Sequence, residues 1–162
     1  MLDRKLLGTY LNDHLAGSTV GLELAKRARG SNEGNEYGAV LERISKEIEE
    51  DRETLQRLMT SLEIKRDRPK VALAWTAEKF GRLKPNGRIL SYSPLSRLIE
   101  LESLALGIAG KRSLWEALGE VADQDARLDA TELKQLADRA ERQRSEVWKL
   151  RQQAAREALA AQ

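Results

Sequence analysis

The stretch Leu41-Glu-Arg-Ile44-Ser-Lys-Glu-Ile48-Glu-Glu-Asp51-Arg-Glu-Thr-Leu55-Gln-Arg-Leu58-Met-Thr-Ser-Leu62 steps through its seam positions by three and four residues without a slip. That is the period of one face of an α-helix. Apart from Met59, every residue between the seam positions is polar or charged, so the segment has one narrow apolar stripe to bury. The spacing predicts a helix over residues 36–64, with Asp51 as the one charged group on its stripe.

Upstream, Leu7, Leu11, His14, Gly21, Leu24 and Ala28 recur at helical spacing and predict a first helix over residues 4–28, ended by Gly30-Ser-Asn-Glu-Gly-Asn35. Downstream, Pro69, Pro85 and Pro94 are the only prolines and fall in one window, leaving the segments on either side free of the strongest helix breaker. Ser93 can cap a third long helix beginning at Pro94 and running to about Val121, because a proline at the first helical position loses no hydrogen bond. Asp129 with Glu132 three residues later resembles a capping box. It opens a fourth helix striped by Leu133, Leu136, Ala140, Val147, Leu150, Ala154 and Ala158. Alternating β-branched segments are lacking and aromatics make up 4% of the chain. The expected class is therefore all-α, one domain over residues 1–162.

Composition excludes whole classes of chemistry. With no cysteine there is no disulfide framework, thiolate metal site or cysteine nucleophile. The single histidine, His14, removes any site that needs two imidazoles from one chain. Twenty-eight basic against 26 acidic side chains leave a net charge of +2, so no bulk field points to nucleic acid or an acidic membrane. No apolar run approaches the ~18 residues of a membrane span. The chain reads as a soluble cytoplasmic protein.

Each outer pair of helices is joined by a short loop and should form an antiparallel hairpin. Residues 65–93 are long enough to cross the length of the bundle, with a short fifth helix from about Pro69 to Lys84, and would make the second and third long helices parallel. An up-down-up-down bundle with a surface insertion is the alternative. The order of elements, with Leu11-Asn-Asp-His-Leu-Ala-Gly-Ser18 and Leu55-Gln-Arg-Leu-Met-Thr-Ser-Leu62-Glu63, resembles the first and second helices of bacterial ferritin-like proteins. That resemblance implies a four-helix bundle with one long crossover. The family's metal pattern is a glutamate on each of two helices and Glu-x-x-His on the other two. Here Ser18 stands at the first glutamate position, Ile48-x-x-Asp51 replaces one motif and Glu141-x-x-Arg144 the other. An arginine stays cationic and cannot ligate iron, so the resemblance implies the fold without the family's iron chemistry.

Each long helix offers one polar group near mid-seam: His14, Asp51, Glu102 and Arg144. Glu102 has apolar neighbours one turn away in both directions, and Glu100 is expected not to share that setting. These four are expected to satisfy one another in a buried layer, Arg144 pairing with Asp51. The competing arrangements are exposure of some members, or a metal site built from Asp51, Glu102, Glu141 and His14. Gly17 and Gly21 in the first helix, and Gly107 and Gly110 in the third, are expected to permit close helix packing.

Residues 65–93 carry eight basic side chains, Lys65, Arg66, Arg68, Lys70, Lys79, Arg82, Lys84 and Arg88, against two acidic ones. Interleaved with Trp75, Phe80 and Tyr92, they admit nucleic-acid binding. The simpler expectation is an amphipathic segment pinned by its aromatics, with its cations facing the acidic second helix or water. No nucleophile-elbow or phosphate-loop sequence is present. Three functions follow: a metal-free structural or protein-interaction bundle without a cofactor, a divergent ferritin-like metalloprotein, or a nucleic-acid binder. Trp115, Trp148 and the alanines near the C-terminus suggest a homodimer.

Overall fold

In a computed structural model of the chain, residues 1–67 and 92–160 are described. They form four helices, α1 (Arg4–Ser31), α2 (Gly38–Ser61), α3 (Pro94–Gly119) and α4 (Ala130–Leu159), with a short 3₁₀ turn at Ala122–Gln124. The expected short helix beginning near Pro69, and the basic residues Arg68, Lys70, Lys79, Arg82, Lys84 and Arg88 with Trp75 and Phe80, lie outside the described residues.

Three of the four helix starts, those of α1, α3 and α4, have a side-chain oxygen to accept otherwise unpaired amides, whereas α2 begins at Gly38 after Tyr37 with no side-chain cap. Asp3 accepts from the amides of Lys5 and Leu6, Ser93 from that of Ser96, and Asp129 from those of Thr131 and Glu132. The ends differ by a few residues. α1 continues through Gly30 to Ser31, and Asn32 closes it by donating its side-chain amide to the Ala28 carbonyl. The left-handed turn falls later, at Gly34, with φ of 81°. α2 stops at Ser61, and Glu63 takes the positive φ that ends it.

Helix directions follow from what meets at each end. The Asn32 side chain joins the end of α1 to the start of α3, donating to the Tyr92 hydroxyl and accepting from Arg97 Nε. At the same end the Tyr37 hydroxyl, just before α2, donates to Glu157 near the end of α4. At the other end Arg4 donates to the Leu62 carbonyl and Arg127 to that of Ser61. α2 and α3 therefore run parallel, and each pairs antiparallel with its hairpin partner. The chain leaves α2 beside α1, where Asn12 bonds the backbone of Lys65 and Asp67, and re-enters at Tyr92 near the opposite end.

The buried interior divides into two apolar clusters along the bundle axis. One gathers Tyr37, Ile44, Leu101, Leu104, Ile108 and Val147, and the other Leu11, Leu55, Met59, Trp115, Leu118 and Leu133. Of the four pairs of adjacent helices, α3 and α4 pack most extensively, while α2 and α4 pack most loosely. Between those two a groove of about 660 Å³ is lined by Glu50, Glu53, Arg57, Arg139 and Arg142, and long charged side chains span the gap. No helix among the described residues is long and apolar enough to cross a membrane.

Candidate functional site: the mid-bundle ion-pair layer and its cavity

Between the two apolar clusters lies a polar layer centred on Asp51, which is 1% exposed. Lys111 on α3 places Nζ 2.5 Å from Asp51 Oδ2 and 2.5 Å from Gln143 Oε1. Arg139 on α4 binds the other carboxylate oxygen, Asp51 Oδ1, and reaches Glu50 at 3.2 Å. Gln143, also buried, donates to Glu47 at 2.8 Å. Burial holds the Lys111 ammonium below its ordinary range, with the Asp51 charge pulling the other way. A carboxylate with a cation on each oxygen is neither a free base nor an open ligand.

A mid-height layer was expected from the sequence, but its members differ. Of His14, Asp51, Glu102 and Arg144, only Asp51 sits in the layer. Arg144 does not pair with Asp51. It turns to Glu141 on its own helix at 2.7 Å, because Gln143, one residue earlier, takes the inward position between Ala140 and Val147. Glu102 lies on the outer face of α3 and binds Arg151 at 2.6 Å. Glu141, pulled down to about 2 by Arg144 and Arg112, belongs to a surface cluster. Of the candidate metal ligands, Asp51 and His14 border one cavity while Glu102 and Glu141 lie elsewhere on ion pairs of their own, and among the described residues no three such groups converge.

His14 is half-buried, with its ring edge-on to Tyr10 at 4.6 Å between centroids. Burial lowers its pKa below 6.5, partly opposed by Asp13. It shares with Asp51 the lining of a half-open cavity of about 310 Å³ bordered by α1, α2 and α3. Gly17, Gly21, Gly107 and Gly110 line this cavity too. They do not bring helices together as expected: a Cβ at any of the four would meet nothing within 4 Å. The missing side chains leave space, which Ser18 borders while bonding back to the Leu15 carbonyl.

Sequence reasoning missed Lys111 and misjudged Glu100. The Glu100 carboxylate is buried at 3% exposed, near the end of α1, with Arg27 Nε 2.8 Å away but out of line for a hydrogen bond. Burial raises its pKa, held back by the Tyr92 hydroxyl and Arg27. The signal was available, since Glu100 is four residues before Leu104 and Lys111 four before Trp115. Both therefore fall on the face of α3 that turns to α1 and α2 rather than to solvent. Lys65 and Arg66, the two described members of the basic run, are exposed. No protein-family model, curated protein or solved structure matches the chain.

Proposed function

We propose that this chain is a metal-free bundle of ferritin-like type with a structural or protein-interaction role, acting as a homodimer. The observation that carries this reading is an apolar stripe on the outer face of the α3/α4 hairpin. Leu106 is 75% exposed, Leu159 70%, Leu95 50% and Trp148 44%. In the antiparallel register set by Glu102 and Arg151, Leu106 lies level with Trp148, and Leu95 with Leu159. The Arg151 guanidinium also stacks over the Trp148 ring at 4.9 Å, so the stripe is ordered around an ion pair that a two-fold copy can reciprocate. Trp115, which the sequence suggested for the interface, is buried in the core and takes no part.

The metal-free half of the proposal rests on Lys111 and Arg139 occupying both oxygens of Asp51. Light scattering at micromolar protein is the test of association. The wild type should give a dimer mass, and Leu106→Glu with Trp148→Glu a monomer of unchanged helicity. A monomeric wild type would remove the dimer. Elemental analysis of protein purified without chelator should find iron, manganese and zinc well below one equivalent. A stoichiometric metal lost in Asp51→Asn would overturn the metal-free reading.

A further inference from the structure

The half-open cavity bordered by α1, α2 and α3 is room that the sequence itself creates. Gly17, Gly21, Gly107 and Gly110 line it, none with a positive φ and none with a neighbour among the described residues that a Cβ would meet within 4 Å. Glycine inside a helix is destabilising relative to alanine, and neither backbone shape nor close helix packing accounts for four of them here. Ile48, Leu55, Leu104 and Ile108 add hydrocarbon to the wall, and the accessible lining is mostly apolar. The charges at its floor are taken up by their own neighbours, Lys111 by Asp51 and Gln143. An apolar space of about 310 Å³ open to water is unfavourable and calls for an apolar occupant.

The two ends of the stretch outside the described residues flank this space. Before it, the backbone of Lys65 and Asp67 is already bound to Asn12 on α1, and the next residue of that helix, Asp13, stands at the cavity rim. After it, the Tyr92 hydroxyl accepts from Asn32 at the far end of α1, and α3 runs from there to Ser103 and Leu104 on the cavity wall. Asn12 and Asn32 are separated by about 30 Å along α1. Residues 68–91 reach roughly 80 Å when extended, so the stretch has chain to spare for entering the seam between α1 and α3. The other gap between helices, the groove between α2 and α4, lies on the opposite side of the bundle and is lined with charge. Val71, Leu73, Trp75, Phe80 and Leu83 are the large apolar side chains of residues 71–83, and they need a surface of their own kind.

We infer that this cavity is the docking site of residues 68–91 of the chain itself, with Trp75 and Phe80 in the room that the glycines leave. The crossover is then part of the bundle's packing rather than a surface insertion, and its aromatics stand beside the Asp51 and Lys111 layer. The inference is independent of how copies of the chain associate.

Nuclear Overhauser spectra of the full chain should show ring protons of Trp75 or Phe80 against the α-protons of Gly17 or Gly107. Trypsin should cut after Lys79 and Arg82 at least about tenfold more slowly in the wild type than in Gly107→Leu, whose side chain, unlike a methyl group, takes much of the space. Both proteins should keep the same helicity by circular dichroism. Gly17→Leu, from the opposite wall, should release the same bonds and guards against a folding defect in the first variant. Trp75→Ala with Phe80→Ala should vacate the cavity and take up toluene, which the wild type should not bind. Absence of those contacts, or cutting unchanged in both folded leucine variants, would overturn the proposal. Contacts found only between differently labelled copies would give the space to a second copy, and toluene bound equally by the wild type and the double variant would give it to a small apolar ligand. Either result overturns the proposal as well.

Discussion

Lys111 on α3 and Asp51 on α2 meet at 2.5 Å in the middle of the bundle, and with Arg139 and Gln143 they part the apolar interior into two halves. Removing Asp51 alone strands a lysine and an arginine in that layer. Asp51→Leu should therefore cost roughly 3–5 kcal/mol in chemical denaturation, and Asp51→Leu with Lys111→Leu much less than the sum of the single changes. Additive losses would mean that the pair does not interact.

Arg144 offers the contrast. Its partner is Glu141 on the same helix at the surface, so Arg144→Leu should change stability by no more than about 1 kcal/mol. The change should add to that of Asp51→Leu without coupling. A measured interaction between them would place Arg144 in the central layer after all.

Glu100 should be a stabilising position to neutralise. Because burial raises its folded pKa above 4.5, the native state holds more protons than the unfolded chain as pH rises through that value. Stability contributed there is thus lost toward neutral pH. Glu100→Gln should raise stability at pH 7 by roughly 1 kcal/mol, about 2–4 °C in Tm, with the gain shrinking below pH 4.5. A variant less stable than wild type at neutral pH would show that Arg27 and Tyr92 fully compensate the carboxylate.

His14 has the opposite sign. Its folded pKa lies below 6.5, so the unfolded chain binds the extra proton first, and stability present above pH 6.5 declines as pH falls below it. Comparing His14→Gln with wild type between about pH 7.5 and pH 5 should show a flatter profile for the variant. Parallel profiles would indicate a ring as open to solvent in the fold as out of it.

Two glycines should respond oppositely to the same change. At Gly107 a methyl group meets no neighbour, and Gly107→Ala should gain roughly 0.5–1 kcal/mol from helix propensity alone. At Gly38 the same methyl would press into the backbone carbonyl of Asn32, and Gly38→Ala should lose about 1–3 kcal/mol. Thermal melts of the two variants suffice.

The helices were legible because apolar spacing and capping side chains are local signals. The stripe from Leu41 to Leu62, the Ser93 and Asp129 caps and the parallel course of α2 and α3 needed no knowledge of neighbours. The layer was harder to read because one residue on a helix is a turn of about 100°, enough to exchange Arg144 for Gln143. Lys111 and Arg139 also bring charge inward on long flexible stems, which a seam read by backbone position overlooks. Glu100 and Glu102, two residues apart, point to different faces of α3, one buried near α1 and the other partly exposed beside Arg151, and only the neighbouring helices decide which face is covered. The glycines misled for the same reason, since their spacing is identical whether a partner helix closes in or stays away.

The uneven seams give the bundle two grains. Within each hairpin the helices lie against one another over much of their length, whereas α2 meets α4 mainly through long polar side chains. Such a molecule should loosen along that polar side first, and hydrogen exchange should show its amides opening as two cooperative units, α1 with α2 and α3 with α4. Because the contacts inside each unit are short in sequence, the same division is expected to set the order of assembly: two fast hairpins, then the slower docking in which Asp51 finds Lys111 and Arg139.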